Sequence, residues 1–132
     1  MKTLIDTCVW SFVIRHKDPS IELTNKVKDL INDGRVVIIG PIRQELLSGI
    51  SNIGQFNKLK ETLSAFEDIP LKTEYFVKAA EFSNLCRNKG IQGATTDFLI
   101  CAVAHCENLI IFTTDNDFEN YKKYLPIKLI KS

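Results

Sequence analysis

The amino-acid sequence predicts an α/β protein: a three-layer α/β/α sandwich around a central sheet that is short-stranded and mainly parallel. Short apolar runs alternate with segments of helical periodicity along the whole chain. The apolar runs lack polar alternation, which is typical of parallel strands covered by helices on both faces. The length of 132 residues fits one domain over residues 1–132, because domains most often contain roughly 100–150 residues.

The first half of the chain begins with a strand over residues 3–5, which stops at Asp6 before a helix over residues 7–16. Ser20 is predicted to cap the second helix, since serine oxygens accept hydrogen bonds from the first turn. A second strand over residues 35–39 is apolar throughout, so we expect both of its faces to be covered.

The next segments are helical. Gly40-Pro41 opens a helix, because proline is favoured in a first helical turn. A further helix is predicted from an apolar stripe at helical spacing, which consists of Phe56, Leu59, Leu63 and Phe66.

The second half of the chain contains a long helix over residues 75–89 that Gly90 closes. Residues 98–104 are apolar on every side, so this helix is expected to be central. Strands are predicted over residues 109–112 and 127–130. Strands and helices therefore alternate from end to end, as a parallel α/β sheet requires.

Composition excludes several classes of protein. The net charge of +1 comes from 17 basic and 16 acidic residues, so any nucleic-acid surface must be local. The N-terminal apolar run is too short for a signal peptide, and no run approaches a membrane span of about 20 residues. A cytoplasmic location without membrane contact is expected.

The cysteines show no zinc-ligand spacing. Free thiols in apolar surroundings are expected for Cys8, Cys86, Cys101 and Cys106.

Four carboxylates are predicted to meet at one edge of the sheet. Asp6 directly follows the first strand, and Asp115 follows the strand over residues 109–112. Glu45 and Asp97 lie in the first turns of helices. Strand ends and helix starts share one rim of such a fold, where its sites form. Carboxylates that converge there repel one another, and a hard divalent cation such as Mg²⁺ or Mn²⁺ would remove the repulsion.

Each acid also has a structural interpretation. Asp6 can be a helix cap, Glu45 a solvated helical residue, and Asp97 an acid favoured by the helix dipole. Asp115 and Asp117 can be turn residues. The joint pattern, rather than any single acid, favours a metal site. A bound divalent ion polarises a phosphoryl oxygen and lowers the pKa of water, which suits phosphodiester hydrolysis.

Four stretches carry a family resemblance, namely residues 4–10, 40–49, 97–104 and 113–118. In this order they resemble the four motifs of PIN-domain ribonucleases of the VapC toxin type. One departure is Cys8, where many relatives have serine or asparagine. The resemblance assigns the metal-binding and catalytic acids of those motifs to Asp6, Glu45, Asp97 and Asp115.

The resemblance has further implications. It implies a Rossmann-like PIN fold, cleavage of RNA with Mg²⁺ or Mn²⁺, a homodimer, and an antitoxin protein made beside the toxin in a bacterial or archaeal cytoplasm. It places the hydroxyls of Thr7 and Thr113 near the metal, and Asp117 is a possible fifth acid. Arg43, close to Glu45 in the sequence, is a candidate contact for RNA, with a salt-bridged or solvated side chain as its alternative.

Other readings fit less well. A receiver domain needs paired acids after its first strand, and a haloacid-dehalogenase-type phosphatase needs an Asp where this chain has Cys8. The remaining alternative is an inert PIN scaffold that binds RNA or a protein partner. Such a scaffold is expected to lack an acid, whereas all four are present, so an enzyme is favoured.

Overall fold

A computed structural model describes residues 1–18 and 20–130 of the chain. Within these residues, short parallel strands alternate with helices, as the sequence predicted. In chain order the elements are β1 (Thr3–Ile5), α1 (Thr7–Arg15), α2 (Glu22–Asn32), β2 (Val36–Val37), α3 (Gly40–Ser48), α4 (Ile53–Leu63), α5 (Thr73–Asn88), α6 (Thr95–Cys106), β3 (Ile110–Phe112) and α7 (Asp117–Lys122).

The sheet has the order β2-β1-β3, and both pairings are parallel. Leu4 in the central strand β1 pairs with Val37 on one side and with Ile111 on the other. All three strands therefore point the same way, and their carboxyl ends form a single rim. This arrangement confirms the predicted α/β sandwich and brings the segments that follow β1, β2 and β3 together.

Helix α6 forms the centre of the core. Each of its residues from Phe98 to Ala104 is buried, as its uniformly apolar sequence predicted. It packs against α5, which contributes the buried side chains of Phe82 and Cys86. Burial of the rest of α6 fixes the position of its first turn, where Asp97 lies.

Some predicted elements differ from those observed. Ser20 does not cap α2: the N-cap is Ile21 without a side-chain hydrogen bond, and Ser20 instead donates its N–H to Asp18 Oδ1 at 2.9 Å. The break predicted at this point also involved Pro19, which lies outside the described residues. Helix α4 ends at Leu63, so Phe66 lies beyond it and packs against Trp10 with a ring separation of 5.4 Å.

The outer strands are also shorter than predicted. Val36 and Val37 are only half-buried because β2 is at the edge of the sheet, whereas Ile38 and Ile39 are buried. The predicted last strand over residues 127–130 forms a single bridge to β3, between Leu129 and Ile111.

The cysteines follow the prediction in part. All four are free thiols, and Cys86 and Cys101 are buried among apolar residues. Cys8 and Cys106 are exposed, contrary to expectation, because they lie in the first turn of α1 and the last turn of α6.

None of the helices described here is long and apolar enough to cross a membrane.

Candidate metal centre

A cavity of about 430 Å³ opens at the carboxyl rim of the sheet. It lies between the start of α1, helix α3 and the start of α6. The four acids predicted from the sequence all line it, together with Thr7 and Cys8. The fold therefore brings together carboxylates that are up to 109 residues apart in the chain, namely Asp6, Glu45, Asp97 and Asp115.

Asp6 is held from two directions. Its side chain is only 8% exposed. Oδ1 accepts a 2.8 Å hydrogen bond from the Thr7 N–H, which makes Asp6 the N-cap of α1. Oδ2 accepts a 2.8 Å hydrogen bond from the Thr113 hydroxyl. The capping interpretation is thus correct, and it is compatible with a site role because Oδ1 accepts this one hydrogen bond and keeps a second lone pair.

The loop after β3 arranges two further acids. The Asp115 N–H donates to Thr113 Oγ1 at 3.0 Å, and the Asp117 N–H donates to Asp115 Oδ1 at 2.9 Å. These contacts fold the loop so that both carboxylates approach the start of α6. Carboxylate oxygens of Asp97, Asp115 and Asp117 all lie within 4.8 Å of one another. Asp117 was a secondary candidate from the sequence, and the structure includes it in this acidic triad.

Asp97 lies in the first turn of α6 and is half-buried. The Tyr121 hydroxyl donates a 2.8 Å hydrogen bond to its Oδ2. Burial raises the pKa of Asp97, and the negative charges of Asp6, Asp115 and Asp117 raise it further, against the opposing effect of the Tyr121 hydrogen bond. The carboxylate form of Asp97 is therefore less favourable than that of an ordinary aspartate, and a bound cation would offset this effect.

Glu45 is at the margin of the cavity. Its side chain is exposed, and its Oε2 accepts a long contact of 3.4 Å from the Thr7 hydroxyl. It lines the cavity with Asp6 and Asp97 but does not belong to the triad. Thr7 is the residue that joins Glu45 to the rest of the site.

The donors of this site fit a hard divalent cation. In an octahedral Mg²⁺ site each Mg–O bond is about 2.1 Å, so adjacent ligand oxygens are about 3.0 Å apart and opposite ones about 4.2 Å apart. The oxygens of the triad lie within 4.8 Å of one another, so they would draw closer together around a single ion. The one soft atom nearby is Cys8 Sγ, at 3.5 Å from Asp6 Oδ2. Carboxylate ligands of this kind favour Mg²⁺ or Mn²⁺ over zinc.

The side chain of Arg43 is held by hydrogen bonds to other parts of the chain and does not line the acidic cavity. Its three guanidinium nitrogens donate to the Leu63 carbonyl at 2.9 Å, the Phe66 carbonyl at 2.6 Å and Asp68 Oδ1 at 3.1 Å. The side chain is 22% exposed. These contacts attach α3 to the segment that follows α4, and they favour the salt-bridged alternative over contact with RNA.

Sequence reasoning missed two residues beside the site. Tyr121 is completely buried in α7, and only its hydrogen bond to Asp97 shows its connection to the acids. Gly93 precedes α6 and faces the Tyr121 hydroxyl. No sequence signal identifies the tyrosine, because an aromatic residue in a short helix is most often a core residue.

The chain belongs to the PIN domain family, whose model matches residues 3–124. A search of curated proteins finds no match.

Solved structures show the same fold. VapBC2 from Rickettsia felis, bound to a DNA fragment from its promoter, has a TM-score of 0.80 and 22% identity, covering 98% of both chains. FitAcB from Neisseria gonorrhoeae has a TM-score of 0.79 and 22% identity, covering 98% of this chain and 96% of its own. DNA-bound VapBC from Salmonella typhimurium has a TM-score of 0.78 and 19% identity, covering 98% of this chain and 97% of its own.

Proposed function

We propose that this chain is a metal-dependent endoribonuclease, the toxin of a toxin–antitoxin pair, which hydrolyses RNA phosphodiester bonds with Mg²⁺ or Mn²⁺. The observation that supports this most is the acidic triad at the carboxyl rim of a PIN domain. None of the salt bridges in the described part of the chain involves these three carboxylates, which therefore suit a cation. A carboxylate-bound divalent ion in turn suits phosphoryl chemistry.

Each acid has a separate task in this proposal. Asp97, Asp115 and Asp6 hold the ion, and Glu45 binds it or orients a water molecule from the margin of the cavity. Asp117 is a further ligand. Thr113 keeps Asp6 and the Asp115 loop in place through its two hydrogen bonds. When bound, the ion polarises a phosphoryl oxygen, increases the acidity of water and offsets the charge of the phosphate.

RNA needs basic side chains close to this acidic rim, because phosphates and carboxylates repel. Arg87 is a candidate for such a contact. It lines a cavity of about 250 Å³ together with Gly93 and Phe98. The segment between these two residues, 94–97, contributes to the lining of the acidic cavity. The two cavities are therefore bordered by consecutive residues of the same segment. Within residues 1–18 and 20–130 its guanidinium makes no hydrogen bond or ion pair. Arg87 is therefore available to a phosphate, unlike Arg43.

The partner would be a cognate antitoxin protein. The similar solved structures are VapBC and FitAB-type complexes, which supports a chain that pairs with a second protein. A homodimer and a cytoplasmic setting follow from the family resemblance alone.

A cleavage assay tests this function. Purified chain, free of any co-purified partner, is incubated with labelled single-stranded RNA and with total cellular RNA, in Mg²⁺, Mn²⁺ or EDTA. The Asp97→Asn variant serves as the inactive protein, and Asp29→Asn, an exposed Asp in α2, is the matched control. We expect cleavage that requires metal, is retained in Asp29→Asn and is lost in Asp97→Asn. Absence of cleavage of either RNA by folded chain would favour the inert PIN scaffold.

A further inference from the structure

Tyr121 occupies an unusual position for a tyrosine. Its side chain is 0% exposed, and its ring lies 5.0 Å from that of Phe98 and 5.1 Å from that of Phe118. A buried hydroxyl normally needs a hydrogen-bond partner. Its partner is the half-buried carboxylate of Asp97, at 2.8 Å, which belongs to the acidic triad. The core of the protein is thus connected directly to one acid of the site.

Gly93 makes the space for this contact. A Cβ atom at this position would lie 2.3 Å from the Tyr121 hydroxyl oxygen and 2.8 Å from Cζ, closer than non-bonded atoms can approach. The backbone does not itself require glycine here, because the glycines with positive φ are Gly34 and Gly90. The requirement at position 93 is therefore one of space, and any side chain there would displace the hydroxyl.

The hydrogen bond also determines how Asp97 presents its carboxylate. Oδ2 is occupied by the Tyr121 hydroxyl, while Oδ1 accepts no hydrogen bond from the described part of the chain. The hydroxyl can only donate to an ionised carboxylate, so it stabilises the form of Asp97 that binds a cation. Partners of this kind orient metal ligands, and their loss typically lowers metal affinity or activity about 10- to 100-fold.

We infer that Tyr121 is a positioning residue that holds Asp97 ready for the divalent ion, and that Gly93 is needed to admit its hydroxyl. This inference rests on the proposed function, because it takes Asp97 to be a metal ligand. Tyr121 itself touches neither the ion nor the RNA. It acts through Asp97, and Gly93 acts through Tyr121.

The test measures Mn²⁺ binding to metal-free protein by calorimetry, without RNA. The variants are Tyr121→Phe, which keeps the ring, Gly93→Ala, and the two combined. Tyr124→Phe is the matched control, because Tyr124 is three residues further along and its side chain is 42% exposed. Circular dichroism and melting temperature establish that each variant is folded.

We expect Tyr121→Phe to weaken Mn²⁺ binding by at least about tenfold, while Tyr124→Phe binds as the wild type does. Gly93→Ala is expected to weaken binding similarly, and to have a clearly smaller effect on affinity in the Tyr121→Phe background, where the contact with Cζ remains but the hydroxyl is gone. This absence of additivity distinguishes an action through the hydroxyl from a general disturbance of the loop.

Two results would overturn the inference alone. Tyr121→Phe could bind Mn²⁺ with wild-type affinity and differ only in melting temperature, which would make the hydrogen bond purely structural. Alternatively, Gly93→Ala could weaken Mn²⁺ binding by the same factor in the wild-type and Tyr121→Phe backgrounds, which would show that Gly93 does not act through the Tyr121 hydroxyl. A wild-type chain that binds no Mn²⁺ would instead overturn the proposed function and this inference together.

Discussion

Thr113 donates a hydrogen bond of 2.8 Å to Asp6, across 107 residues of chain. The same hydroxyl accepts the Asp115 N–H at 3.0 Å, so one buried oxygen connects the acid after β1 to the loop after β3. Thr113 is 9% exposed and has little access to water that could replace these bonds. The geometry of the acidic site therefore depends on a residue that carries no charge.

Thr113→Val tests this dependence, because it keeps the shape of the side chain and removes the hydroxyl. The buried carboxylate of Asp6 and the part-buried N–H of Asp115 each lose a partner, so we expect a stability loss of about 1–3 kcal/mol and a loss of roughly 10- to 100-fold in metal affinity or RNA cleavage. Denaturant unfolding and Mn²⁺ calorimetry measure the two effects. Thr62→Val, at an exposed position in α4 that does not line the acidic cavity, is the control. Equal effects of the two substitutions would show that Thr113 has no special role.

Asp97→Asn should make the metal-free protein more stable at neutral pH. The pKa of Asp97 is raised in the folded protein above its ordinary value of 3.8, so the folded chain holds this proton more tightly than the unfolded chain does. Stability is therefore lost as pH rises through the raised pKa, and an asparagine avoids this loss. We expect the variant to melt at a higher temperature than the wild type at pH 7, with a difference that shrinks towards about pH 4.

Melting temperatures in EDTA between about pH 4 and pH 8 measure this effect. Saturating Mn²⁺ should reverse the order of the two proteins, because ligand binding stabilises only the protein that binds it. A wild-type protein that melts above Asp97→Asn in EDTA at every pH would contradict the predicted repulsion.

Arg43→Ala should affect stability and not RNA binding. The substitution leaves two carbonyls and one carboxylate without their guanidinium partner, so we expect a loss of about 2 kcal/mol. Arg43→Lys should rescue little of it, since an ammonium group cannot reproduce the planar set of donors. Unfolding in urea measures the loss. A stable Arg43→Ala protein with weakened RNA affinity would restore the role first predicted for this residue.

Arg87→Ala should weaken RNA binding without loss of stability. If Arg87 contacts one phosphate, the slope of log affinity against log salt should become shallower by about 0.7 for single-stranded RNA. Binding is measured in the Asp97→Asn background, where cleavage does not interfere. Arg35→Ala is the matched control, because Arg35 is exposed and its carbonyl accepts from Thr3, at the amino end of the strands. The same change in both variants would indicate only a general effect of charge.

The fold and most of the site could be predicted because both depend on local patterns. Acids that follow apolar strands must meet at one rim when the strands are parallel, and this rule located Asp6 and Asp115. Asp97 was located because an entirely apolar helix has to be buried, and its first turn then reaches the same rim.

Residues whose role depends on a distant contact could not be predicted. The link between Tyr121 and Asp97 spans 24 residues, and the sequence shows only an aromatic residue in a short helix. Asp117 joins the triad because its N–H turns back to the Asp115 carboxylate, a detail of loop geometry. Ser20 satisfies the pattern of a cap, but α2 begins at Glu22 with Ile21 as its N-cap, so Ser20 lies one residue too early to cap it.

The wide separation of the site residues along the chain has a consequence for protein synthesis. Asp6 is synthesised more than a hundred residues before its hydroxyl partner Thr113 and the loop that carries Asp115 and Asp117. A nascent chain that has not released β3 and α7 from the ribosome lacks Asp115, Asp117 and Tyr121. If the chain is the proposed RNA-cutting toxin, it stays inactive during translation until β3 and α7 have emerged from the ribosome and folded onto the earlier elements.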